Sequence, residues 1–187
     1  MMAMAESTKT QSNLVHGIPG GGTPGFHELD QADYAATLAT FAGWGDSKAQ
    51  HDLAALYLEG REVPQDFGEA LKWHTLAAEQ GNTLSQHDLA TMYLEGLGVA
   101  EDHERAFHWF LKAAMQGDGK AQNNLGILYA TGQGVAMDIV EAAKWFMLAE
   151  SQGTLDAAEN MEIAREDMTP EQLREAVGRA QAWRGGS

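Results

Sequence analysis

Histidines beside aspartates are the residues of this chain best suited to chemistry, and they occur as His51-Asp52 and His87-Asp88, 36 residues apart. A carboxylate-paired histidine can serve as a general base, and two such pairs could ligate a metal ion. Adjacent residues on a helix point about 100° apart, however, so neither pair is a built dyad if the segment is helical. His103-Glu104 begins like the zinc-protease pattern H-E-x-x-H, but the position of its second histidine is Phe107. There is no G-x-S-x-G string and no phosphate loop ending Gly-Lys-Ser/Thr. Gly96-Leu97-Gly98 recurs as Gly132-Gln133-Gly134 and reads as a turn. Trp73, Trp109 and Trp145 could stack on bases or sugars, yet their regular placement marks them as core. No catalytic residue, metal ligand or cofactor is therefore assigned. The competing reading is a hydrolase or metal-binding enzyme that uses these His and Asp residues.

The elements that position these residues follow from a repeat. Leu53, Leu89 and Leu125 recur every 36 residues, as do Tyr57, Tyr93 and Tyr129, Gly60, Gly96 and Gly132, and the three tryptophans. Within a unit, Ala49, Leu53, Leu56 and Tyr57 make one apolar stripe at helical spacing, which predicts helix A. Ala70, Trp73 and Ala77 make a second after a short loop, which predicts helix B. Asp66 with Glu69, and Asp138 with Glu141, have the spacing of capping boxes, while the middle unit carries Arg105 at that place. Gly60 and Gly81 stand where a helix ends in a left-handed residue.

A hairpin of this kind cannot cover its own apolar faces, so successive units must stack. Residues 45–152 are read as three repeats, and 29–44 as an N-terminal capping helix with Tyr34, Leu38 and Phe41 on its apolar face. Residues 153–187 are read as a C-terminal pair of capping helices. The first carries Ala157, Met161 and Ala164; the second opens on Thr169, Pro170 and Gln172 and buries Leu173, Ala176, Val177, Ala180 and Trp183, with Arg174, Arg179 and Arg184 towards water. Residues 1–28, rich in Gly, Ser, Thr and Pro, read as flexible.

Composition narrows the function classes. Twelve Lys and Arg against 27 Asp and Glu give a formal charge of -15, which repels phosphates and makes nucleic acid an unfavourable partner. The absence of Cys removes disulfides and thiolate chemistry. No apolar run is long enough for a membrane span and the first 25 residues lack a signal-peptide core, so a soluble, cytoplasmic protein without membrane insertion is expected.

The string Ala121-Gln122-Asn123-Asn124-Leu125-Gly126, followed by Tyr129, Gly132, Gly134-Val135, Asp138, Ala142 and Trp145, resembles the Sel-1-like repeat family, a relative of the tetratricopeptide repeat. The resemblance covers three consecutive copies. It implies an all-α fold, a right-handed α–α superhelix, and a role as adaptor or scaffold. Departures are Glu62 where Gly98 and Gly134 stand, and Ala54 and Ala90 where Gly126 stands. A secreted cysteine-rich branch of the family is linked to β-lactam binding or hydrolysis, and the lack of Cys argues against that branch.

If helix A lines a concave face as in tetratricopeptide relatives, one row looks inward: Asp52, Ala55, Leu58 and Glu59, then Asp88, Thr91, Leu94 and Glu95, then Asn124, Ile127, Ala130 and Thr131. His51, His87 and Asn123 flank it. This acidic and apolar stripe suits a partner protein offering a basic, amphipathic segment. The expected function is a protein–protein interaction scaffold, alone or as a subunit of a larger assembly.

Overall fold

The computed structural model describes residues 31–185, and every regular element among them is an α-helix. In chain order these are α1 (Gln31–Gly43), α2 (Ser47–Glu59), α3 (Phe67–Glu79), α4 (Thr83–Glu95), α5 (His103–Met115), α6 (Gly119–Thr131), α7 (Ile139–Ser151), α8 (Leu155–Glu166) and α9 (Pro170–Gly185). The segment 1–28, read as flexible, lies outside the described residues, as does the side chain of Arg184. Helices α2, α4 and α6 are the A helices and α3, α5 and α7 the B helices of three stacked hairpins. The fold is the α-solenoid implied by the repeat pattern. No helix among the described residues is long and apolar enough to cross a membrane.

Helices α2 to α7 each start at a side chain that accepts from the first turn. Asp46, Asn82 and Asp118 accept from the backbone N–H groups of Ala49, Ser85 and Ala121 to cap the A helices. Asp66, Asp102 and Asp138 cap the B helices in the same way. The A helices end on Gly60, Gly96 and Gly132 at φ 68°, 69° and 70°, a left-handed conformation that a Cβ would oppose.

The capping boxes read at Asp66 and Asp138 are only half formed. The backbone N–H groups of Asp66, Asp102 and Asp138 donate instead to the carbonyls of Tyr57, Tyr93 and Tyr129 in the preceding helix. Glu69 is thereby free to accept from Trp73 Nε1 at 3.0 Å, and Glu141 from Lys144 and Arg179. The middle unit loses no cap by carrying Arg105, since Asp102 still receives that residue's N–H at 2.9 Å. The reciprocal box does form at Thr169 and Gln172, each side chain bonded to the other's N–H.

Packing follows the predicted stripes with local exceptions. Leu53, Leu89 and Leu125 are buried on the A helices, and Ala70, Ala106 and Ala142 on the B helices. Trp145 is fully buried against Trp183, whereas Trp73 and Trp109 are half-buried, with Lys72 and Lys112 lying over their outer faces. In α1 the inward residues are Ala35, Leu38 and Ala42, and Phe41 is exposed against Trp44. The stripe runs one residue later than the one drawn through Phe41. Val177 is likewise outside the buried face of α9, which rests on Ala176 and Ala180. Arg179 does not simply face water: it is half-buried and bonded to Glu141 and Glu175.

Candidate functional site

The A helices bring the predicted row of side chains onto the repeat surface in varying degrees of exposure. Glu59, Glu95, Ile127 and Thr131 are exposed, and Asp52, Ala55, Leu58, Thr91, Leu94, Asn124 and Ala130 are half-buried. Leu94 also packs against the central hydrophobic cluster around Phe110 and Leu125, so one side of it belongs to the core. The row is less acidic than its composition implies. Lys48 Nζ lies 2.6 Å from Asp52 Oδ2, and Arg61 pairs with Glu59, which leaves Glu95 without an ion-pair partner among the described residues.

The flanking residues turn towards the seams between units rather than outward. Asn160 of α8 donates to Asn123 of α6 at 2.9 Å, and Asn123 is buried. At the same relative position two seams earlier, again 37 residues apart, His51 Nδ1 lies 3.6 Å from Asp88 Oδ2. His51 therefore meets the aspartate of the next unit, while Asp52 is held by Lys48. His87 departs from the expectation that sequence neighbours on a helix keep apart, because its Nδ1 stands 3.3 Å from Asp88 Oδ1. Asp88 thus faces His51 across the seam with one carboxylate oxygen and His87 beside it with the other. Burial works against its ionisation, but the hydrogen bond from His87 and the surrounding imidazoles of His74 and His51 prevail and hold its carboxyl below the usual value.

His74, which the sequence reading left unassigned, completes this group from α3. It is fully buried, its ring 5.5 Å from that of His51, and its Nδ1 is 3.4 Å from Ser85 Oγ. Burial lowers its pKa to about 4, against weaker opposition from Asp88, so the ring is neutral at pH 7. The signal that could have found it is its register: one period later stands Phe110, and one after that Phe146. His103, by contrast, pairs with Glu101 at 2.6 Å in the loop before α5.

Glutamines form a second periodic device that the residue types alone did not flag. Gln50, Gln86 and Gln122 are buried, and their Nε2 atoms donate to the carbonyls of Ala42, Ala78 and Ala114 at 3.0, 3.0 and 3.1 Å. Gln80 and Gln116 then donate to the Oε1 atoms of Gln50 and Gln86, both at 2.7 Å. The ladder fixes each hairpin against the next.

At the opposite end of the A helices from Glu59 and Glu95, an open cleft of about 750 Å³ runs over the starts of α4, α6 and α8. Of the predicted row it gathers His87, Asn123 and Asn124, and it adds Leu84, Lys120 and Leu155. Leu84 is 57% exposed and Leu155 89%. The predicted residues towards the helix C-termini, Leu58, Glu59, Leu94, Glu95 and Thr131, are not part of this cleft.

Comparison with known proteins agrees with this architecture. The Sel1 repeat model matches residues 47–82, 83–118 and 119–154. The chain is similar to a Sel1 repeat protein of Oxalobacter formigenes of known crystal structure, with 38% identity and a TM-score of 0.63 over 68% of this chain and 96% of that one. It is also similar to a protective antigen of uropathogenic Escherichia coli strains that displays an SLR fold, with 30% identity and a TM-score of 0.55 over 80% of this chain but only 40% of that one. Cysteine rich protein B of Helicobacter pylori shares the fold at 18% identity, with a TM-score of 0.56 over 71% of this chain and 97% of that one. No curated protein matches the chain.

Proposed function

Given that this chain belongs to the Sel1-repeat family, we propose that it is a non-catalytic scaffold whose A-helix face binds a segment of another protein. Repeats of this family generally mediate protein–protein interaction, and fold membership alone leaves the partner open. The observation that carries the reading is the open cleft over the starts of α4, α6 and α8, where Leu84 and Leu155 are exposed beside Lys120 and Asn124. Exposed apolar side chains set in a polar groove suit an extended or helical peptide better than a small substrate. With Lys48 and Arg61 neutralising Asp52 and Glu59, Glu95 supplies the negative charge that favours a basic flank on the partner, at the margin of an apolar strip formed by Leu58 and Leu94.

The test is a peptide-array screen on the full chain, followed by kinetics on the best binders. Binders should combine Lys or Arg with aliphatic residues. Glu59→Lys with Glu95→Lys should slow their association severalfold, as should raised salt on the unmutated protein. Binders lacking basic residues, or unaffected by both changes, would contradict this reading of the face.

A further inference from the structure

The first repeat places His74 where the next two carry Phe110 and Phe146, and all three side chains are buried. The same comparison marks Ser85, also fully buried, at a helix-A position occupied elsewhere by Ala49, Ala121 and Ala157. Two polar residues at positions the chain otherwise fills with apolar ones carry a desolvation cost that Phe and Ala avoid. Their contacts offset it only in part. Ser85 Oγ lies 3.4 Å from His74 Nδ1 and 3.2 Å from His51 Nδ1. His74 Nε2 has no hydrogen-bond partner among the described residues. It faces Asp88, whose Oδ2 at 3.9 Å is beyond hydrogen-bond range.

We propose that His51, His74 and Asp88 bind one divalent ion of the zinc class, which staples α2 and α3 of the first repeat to α4 of the second. One donor atom from each side chain lies within 4.8 Å of the other two. Asp88 Oδ2 is 3.6 Å from His51 Nδ1 and 3.9 Å from His74 Nε2, and donors on a tetrahedral ion with bonds of about 2.0–2.1 Å stand roughly 3.3 Å apart. Small side-chain rotations close that difference. Ser85 Oγ, against the other nitrogen of His74, can accept its N–H and so support the tautomer that leaves Nε2 its lone pair. His51 and Asp88 are partly exposed, with side chains 16% and 33% accessible, so water can complete the coordination. Two imidazoles and one carboxylate suit zinc, cobalt or nickel, whereas magnesium and calcium require oxygen donors. The next seam has His87, Phe110 and Asn124 in the corresponding places, which is not a ligand set.

The experiment is titration of the full, tag-free chain with Co²⁺ and Zn²⁺ after chelator treatment, read by visible absorption and by melting temperature. One equivalent of Co²⁺ should give the bands of a tetrahedral site, and Zn²⁺ should displace it and raise the melting temperature. His74→Phe and Asp88→Asn install residues the chain uses in its other repeats, so both should fold and both should lose the bands. Ser85→Ala should weaken affinity roughly 10–100-fold, while His103→Ala and His108→Ala should leave it unchanged. No stoichiometric binding by the unmutated chain would overturn the proposal. So would binding that survives both His74→Phe and Asp88→Asn, or that disappears with His103→Ala or His108→Ala, since the ion would then be held elsewhere.

Discussion

At the scale of single residues, the informative positions are those where one repeat differs from the others. His74 replaces a core phenylalanine, and burial takes its pKa from 6.5 down to about 4. The unfolded chain takes up a proton on this residue as pH falls below about 6.5, and the folded chain does not until about 4. Its contribution to stability is therefore complete above pH 6.5 and is lost as pH falls towards 4, by an amount on the order of 3 kcal/mol. Urea unfolding of metal-free protein at pH 7.5 and pH 5 should show that decline, and His74→Phe should flatten much of it. Gly126 is the second such position. A Cβ there would overlap the buried ring of Phe146, so Gly126→Ala should cost about 1–3 kcal/mol despite the alanines at 54 and 90. An unchanged melting curve would mean that Phe146 repacks freely. The Ala-to-Gly departure was visible in the sequence, but the ring it makes room for was not, because that contact joins α6 to α7.

At the scale of elements, the loops between helices A and B show what a repeat needs and what it tolerates. Gly98 and Gly134 are left-handed, and a Cβ on Gly134 would overlap the His103 carbonyl of the preceding repeat. Gly134→Ala combines that overlap with an unfavourable φ and should cost on the order of 3 kcal/mol. Glu62 holds the same left-handed conformation at φ 65° without being glycine. Glu62→Gly should stabilise the protein by about 0.5 kcal/mol, the relief of backbone strain being partly offset by the entropy of glycine in the unfolded chain. Calorimetric melting of the two variants should move in opposite directions. Helix limits were legible from caps, stripes and terminal glycines. The failure of the capping box at Asp66 was not, since its competitor is the Tyr57 carbonyl across the loop, a partner that local spacing does not reveal. Phe41 was misplaced for a related reason: among the described residues α1 packs on one neighbouring repeat, and its buried face is narrow and small, set by Ala35, Leu38 and Ala42.

At the scale of the whole molecule, a 36-residue period made the stacked-hairpin architecture readable before any coordinate, because each unit's apolar stripes require a neighbour. The candidate surface was less readable. Periodicity assigns residues to a face, but it does not show that His51 and Asn123 turn into the seams while Leu84 and Leu155 stand outside them. The glutamine ladder was hidden in plain view, since buried amides and exposed amides repeat alike. Replacing Gln86 with Leu should remove both its hydrogen bond to the Ala78 carbonyl and the one it accepts from Gln116 and cost about 1–3 kcal/mol, measurable by denaturant unfolding. The central claim is that the A-helix face receives another protein. Site-specific photo-crosslinking in the native host tests it most directly, with the photoreactive residue placed at Thr91 or Ile127 on that face, or at Lys72 or His108 on the exposed side of the B helices. A discrete crosslinked partner from Thr91 and Ile127, absent from Lys72 and His108, is the predicted result; crosslinks confined to Lys72 and His108 would contradict the account.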